Sequence, residues 1–81
     1  MYIHRSNLDR EFLKNLRQLE KNNNVIVLLE YIGNECYAHC FNANLCEMEF
    51  AIFKIGTRQD TKERWYINLS KELATFKAAS E

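Results

Sequence analysis

Eighty-one residues make one domain, 1–81, and a chain this short buries only about 60 to 65% of the surface its unfolded form exposes. Eleven basic and 11 acidic residues cancel to zero formal charge, which excludes the strong overall field of a dedicated nucleic-acid binder and leaves only local patches. At 47% hydrophobic and 12% aromatic the chain belongs with folded globules rather than disordered segments.

The longest apolar run, Val25 to Leu29, is far shorter than the roughly 20 residues that cross a bilayer. The start, Met1 to Ser6, lacks the apolar core of a secretory signal, so a cytoplasmic location is expected. Three cysteines, an odd number, fit reduced thiols better than a disulfide framework.

Ser6 is placed to cap a first helix, with Asp9 three residues on and Leu8, Phe12, Leu16 and Leu19 forming one apolar stripe. Arg10, Lys14, Arg17 and Lys21 cluster on the opposite side of the same cylinder. Asn22-Asn23-Asn24 then predicts the helix end, because asparagine tolerates left-handed geometry.

Val25 to Ile32 reads as a central strand, apolar on both alternating faces except at Glu30. Gly33-Asn34 turns it into a second strand, Cys36 to Phe41. After Asn42-Ala43-Asn44, the residues Cys46, Met48, Phe50 and Ile52 alternate with Glu47, Glu49 and Ala51 as a third, half-buried strand. The polar stretch Gly56 to Glu63 predicts a hairpin loop. Trp65, Ile67 and Leu69 then alternate with polar neighbours as a fourth strand. Ser70 caps a short final helix carrying Leu73 and Phe76. The expected fold is α+β: a four-stranded antiparallel meander with both helices on one face, in the order α-β-β-β-β-α.

Cys36, His39, Cys40 and Cys46 are the one cluster of metal-ligand types, and a zinc site needs four such groups to converge. On a strand Cys36 and Cys40 share a face while His39 points to the other. The cysteines are therefore expected as small buried hydrophobes, with no metal and no cofactor. A Cys36–Cys40 disulfide is excluded by the roughly 13 Å between strand positions four apart. His4 and His39 with scattered cations are the only candidates for a small metal-independent ribonuclease toxin. The basic stripe Arg10, Lys14, Arg17 and Lys21 is the candidate RNA-binding surface, partly neutralised by Glu11 and Glu20.

The C-terminal run Ser70-Lys71-Glu72-Leu73-Ala74-Thr75-Phe76-Lys77-Ala78-Ala79 resembles the last helix of double-stranded-RNA-binding domains, which opens with a serine and two lysines. The likeness covers about ten residues and implies phosphate gripping by that helix. Glu72 stands at the second lysine position, Thr75 replaces a further basic residue, and four strands are read where that family has three.

Two helices can cover one side of a four-stranded sheet. The expected core is Leu8, Phe12, Leu16, Leu19, Val27, Leu29, Met48, Phe50, Ile52, Trp65, Ile67, Leu73 and Phe76. That leaves Ile26, Leu28 and Ile32 facing away, with Phe53, Ile55, Tyr66 and one alternating set of the second strand. Monomers seldom expose such patches without using them. The expected function is a small non-catalytic protein-interaction module, a regulator, adaptor or inhibitor of the kind common among accessory proteins of phages and other mobile elements. It is expected to bind a protein partner and to form a homodimer. Ile32, Tyr37, Phe53 and Tyr66 are the expected apolar contacts, with Glu47 and Glu49 as the polar rim.

Overall fold

Asp9, not Ser6, starts the first helix: its carboxylate accepts from the Phe12 amide at 2.7 Å, satisfying one of the donors a helix start leaves free. The computed structural model describes residues 1–80, apart from the side chains of Cys46, Glu47 and Ser80. Ser6 lies in a single 3-10 turn, Arg5–Asn7, ahead of helix α1, Arg10–Asn23. Asn24 ends α1 in the left-handed conformation at φ 55°, with its amide bonded to the Glu20 carbonyl, as the asparagine run predicts.

Strands β1 (Val25–Ile32), β2 (Glu35–Asn42) and β3 (Leu45–Thr57) follow, then helix α2 (Lys62–Ser80). The sheet is antiparallel in the order β1-β2-β3. Along β1 one side chain in two is turned inward, Val25, Val27 and Leu29. On β2 the inward set is Cys36, Ala38 and Cys40, all fully buried. Both helices cover this one face: Phe12, Leu16 and Leu19 come from α1, and Trp65, Leu69 and Leu73 from α2.

The sheet has three strands, not four. Residues 64–69, expected as a strand, are the first turns of α2. Trp65, Ile67 and Leu69 do alternate, but Trp65, Leu69 and Leu73 also recur every four residues, and these three are buried while Ile67 is exposed. The helical period therefore prevails. Thr61 supplies the local start signal, its hydroxyl accepting from the Arg64 amide at 3.1 Å, and Ser70 falls inside the helix and caps nothing.

β3 also departs from its expected facing. Cys40 pairs with Ala51 and Phe41 with Glu49, so Phe50 is an extra residue in the ladder. Such a bulge shifts the alternation that follows or precedes it. Ala51, Phe53 and Ile55 face the helices, and Met48, Phe50 and Ile52, expected in the core, are exposed. Ile67 and Phe76 are likewise more open than expected.

The β3–α2 loop is closed by Asp60, whose carboxylate accepts from the Thr57 amide at 2.7 Å and hydroxyl at 3.2 Å. Trp65 donates its indole N–H to the Thr57 carbonyl at 3.0 Å. At Gly56 a Cβ would lie 2.7 Å from the Trp65 ring and 2.9 Å from the Asp60 carboxylate. Gly56→Ala therefore pushes against a fully buried indole. It is expected to lower unfolding free energy by about 1–3 kcal/mol, read by urea titration, whereas an unchanged midpoint would mean that the tryptophan moves aside freely.

Candidate interaction surface

The face of the sheet turned away from the helices is built from the alternate residues of each strand. Antiparallel register sets Leu28 against His39 and His39 against Ile52, with Glu30 opposite Tyr37 and Glu49 opposite Phe41. His39 stands on the middle strand with a carboxylate from each neighbour in reach. Its Nε2 lies 2.7 Å from Glu30 and its Nδ1 2.6 Å from Glu49. The side chain is only 11% exposed, with the Tyr2 ring tilted over the imidazole at 5.8 Å.

Ionised carboxylates only accept, so an imidazole bonded to two of them must donate from both nitrogens and is held as imidazolium. Burial alone would lower the His39 pKa, but its hydrogen bonds to Glu30 and Glu49 outweigh it and the value is raised. Glu30 shifts the opposite way, chiefly through its bond to His39, with further help from the Met1 ammonium 3.5 Å away. Beside this cluster Glu35 accepts from the Tyr37 hydroxyl at 2.6 Å and pairs with Lys54 at 3.0 Å. The polar groups at the centre of the face are thus matched to one another.

Around them lies exposed apolar surface: Tyr2, Leu28, Ile32 and Ile52 are 44 to 58% exposed, and Ile26, Tyr37 and Phe41 are half-buried. Of the expected contact residues, Ile32, Tyr37 and Glu49 are on this face. Phe53 is on the opposite face, edge-on to Phe76 at 6.2 Å. Tyr66 is on α2, beside a groove shared with Asp9 and Phe12. Ile55, expected to face away, is fully buried. The Glu47 side chain lies outside the described residues. His39 and Glu30 are the residues the sequence reading left out of the site, although Glu30 interrupts an otherwise apolar strand face, which marks it for a cross-strand partner.

Both ring nitrogens of His39, one of the two histidines considered above for a ribonuclease, are engaged by carboxylates. Cys36 and Cys40 face the helices, away from His39, and burial pushes both thiols up to about 12, which makes them poor nucleophiles and poor ligands. Among the described residues no three His, Cys, Asp or Glu side chains are placed to hold a metal ion, and no helix is long and apolar enough to cross a membrane.

Arg10, Lys14, Arg17 and Lys21 are all exposed on α1. Glu20 does not neutralise them as expected. Its carboxylate turns inward to Arg5 at 2.6 Å and the Val27 amide at 2.8 Å. The strand count now matches the three of double-stranded-RNA-binding domains. The motif that carried that resemblance does not, because Ser70 and Lys71 lie mid-helix, away from the N-terminal amides that grip phosphate. Comparison with known proteins finds no matching family model, no matching curated protein and no matching solved structure.

The His39 cluster makes stability depend on pH at both ends. His39, raised in the fold, contributes fully below its ordinary value of 6.5, and this contribution is lost as pH rises through the raised value. Glu30, lowered, contributes fully above its ordinary 4.5 and loses that as pH falls through the lowered value. The stability difference between wild type and His39→Gln should be largest between these ordinary values and shrink towards alkaline pH. Urea titrations of both proteins from about pH 5 to 9 check this, and a difference that stays flat across the range would show that His39 is not held charged.

Proposed function

We propose that this protein is a non-catalytic protein-interaction module that binds a partner through the open face of its sheet. The observation that carries the reading is the ring of exposed Leu28, Ile32, Ile52 and Tyr2 around an ion cluster in which a buried His39 is partnered at both nitrogens. Apolar side chains supply the gain on contact, since burying them releases about 25 cal/mol per Å². The Glu30–His39–Glu49 cluster ties all three strands together, so the surface is ordered before contact and little is lost in ordering it. Apolar anchors around satisfied polar groups are what a specific interface requires.

Leu28→Lys combined with Ile32→Lys tests this, because both positions are exposed and the change should leave the fold intact, as circular dichroism can verify. Wild-type protein should retain a specific protein from nuclease-treated lysate of its source, and the double variant should lose it. Retention of the same protein by both, or of none by either, would refute the reading.

A second reading, RNA binding by α1, is favoured by one observation: Glu20 is turned away and leaves Arg10, Lys14, Arg17 and Lys21 as an exposed basic stripe. Four phosphate contacts give weak, sequence-independent affinity that falls steeply with salt. On this reading duplex or single-stranded RNA binds in about 50 mM salt and is released by about 200 mM, and Lys14→Glu with Arg17→Glu abolishes binding in a filter assay. Absence of binding at the lower salt removes it.

A further inference from the structure

The outer edge of β1, the side turned away from β2, is closed in two different ways. At Val27 it is closed by side chains. The Glu20 carboxylate accepts from the Val27 amide at 2.8 Å, Arg5 donates to the Val27 carbonyl at 3.2 Å, and the two side chains meet at 2.6 Å, so an ion pair stands where the peptide group of a neighbouring strand would lie. From Leu29 to Tyr31 the edge is closed by a piece of chain. The Ile3 amide bonds to the Leu29 carbonyl at 2.8 Å, the Tyr31 amide to the Met1 carbonyl at 2.9 Å, and Tyr2 stands antiparallel beside Glu30.

This strap of residues 1–3 is lightly held. Met1 and Tyr2 are 77 and 58% exposed, and Ile3 alone of the three packs against the core. Its tether is fixed, because the turn Arg5–Asn7 begins at the residue bonded to Glu20 and Val27. Peeling back residues 1–3 therefore bares the Leu29 carbonyl, the Tyr31 amide and the side of His39 over which the Tyr2 ring lies, while the Val27 end stays closed. A bare strand edge takes up an extended peptide through its backbone groups. The strap is also shorter than the edge: its pairing ends at Tyr31, and Ile32 beyond it is 54% exposed.

We propose that the β1 edge is a docking site for an extended segment of a partner protein, which displaces residues 1–3 and adds antiparallel to β1. This rests on the reading that the open face receives a protein, and it names the mode of contact. The strap is the template for what fits. Strand residues alternate between faces, so the partner residue beside Glu30 takes the place of Tyr2 over His39 and is aromatic. The residue beside Leu29 takes the place of Ile3 and is aliphatic. The residue beside Ile32 lies on the open face and is apolar. That last contact is one the strap does not make, and it counts against the advantage of a tethered competitor, whose effective concentration is on the order of millimolar.

Fluorescence anisotropy of a labelled, acetylated peptide, Val-Val-Met-Tyr-Ile-His, tests it. The peptide copies residues 1–4 behind two valines, the second of which falls beside Ile32. Intact protein carrying Tyr2→Gly with Ile3→Gly, whose strap has lost both side-chain contacts, should bind the peptide at least about tenfold more tightly than the wild type does. Adding Ile32→Lys should weaken that binding about fivefold or more. Hydrogen exchange of the unmodified protein gives a readout free of any folding defect: corrected for intrinsic rates, the Tyr31 amide should exchange at least about tenfold faster than the Val27 amide on the same edge, and saturating peptide should slow it. Equal binding by wild type and the Tyr2/Ile3 variant, no binding by either, or a Tyr31 amide as slow as that of Val27 overturns the inference. So does Tyr31 protection that rises with protein concentration alone, which would put a second copy in the edge. These failures are distinct from failure of the open face as an interface, since a protein retained from lysate by the wild type and lost with Leu28→Lys and Ile32→Lys would still show contact there, made without strand addition.

Discussion

The middle strand β2 dictates how this molecule is built. Its inward side chains are Cys36, Ala38 and Cys40, among the smallest that still exclude water. Two helices can therefore settle close to the sheet and fill the layer with their own bulk, Phe12 and Leu16 from one and Trp65 and Leu69 from the other. Trp65 sits at the junction, edge-on to Phe12 at 6.2 Å and to Tyr31 at 5.8 Å, with Lys62 over its face at 4.2 Å. Its indole N–H is satisfied by the Thr57 carbonyl, so a large polar-tipped ring is buried without an orphaned donor. Large residues on the inward side of β2 would hold the helices off and open voids around that ring.

The same strand sets the chemistry of the opposite face. His39 alternates with the small inward residues, so it must stand on the side that no helix covers. There it is shielded by neighbouring strands and by Tyr2, not by a second layer. Two carboxylates at 2.6 and 2.7 Å supply the compensation that a nearly buried imidazolium requires. The arrangement links β1, β2 and β3 laterally on one face, while apolar packing links them to the helices on the other. The weak point of such a two-layer domain is its rim, where the N-terminal segment guards one edge and α2 only part of the other.

How much of this is legible in the sequence follows from which signals are local. Helix α1 is legible because its apolar stripe has one period and its end has a dedicated residue, Asn24. β1 and β2 are legible from β-rich runs divided by Gly33, which adopts the positive φ of 61° that the turn uses. The start of α2 is ambiguous because Trp65, Ile67 and Leu69 satisfy a two-residue period while Trp65, Leu69 and Leu73 satisfy a helical one. Only packing against the sheet selects between them, and that information is not local. The Phe50 bulge has no glycine or proline to announce it, so the turning of Ile52 to the open face, and the exposure of Met48 and Phe50 at the rim of the helix side, could not be read either. The open face was legible in part, at Leu28 and Ile32. The ion cluster at its centre depends on a register that brings residues 9 and 10 positions from His39 onto either side of it.

A strand count reduced from four to three changes what the apolar residues mean. With a narrower sheet, two helices suffice to cover the inward face, and Phe53 and Ile55 become core or core-lining residues instead of surplus. The surplus then divides into two patches with different character. One, around His39, is ordered by ion pairs and ringed by Leu28, Ile32 and Ile52. The other is a groove on the helix side lined by Leu45, Met48, Phe50 and Phe76. Each half-exposed aliphatic side chain forgoes on the order of 1 kcal/mol of burial, a cost that a domain with a core this small carries at the expense of a total stability of about 5–15 kcal/mol. Contact with another macromolecule would recover that free energy. The two patches lie on opposite sides of the sheet, Ile52 beside His39 and Phe50 beside Phe76, so no single flat contact covers both.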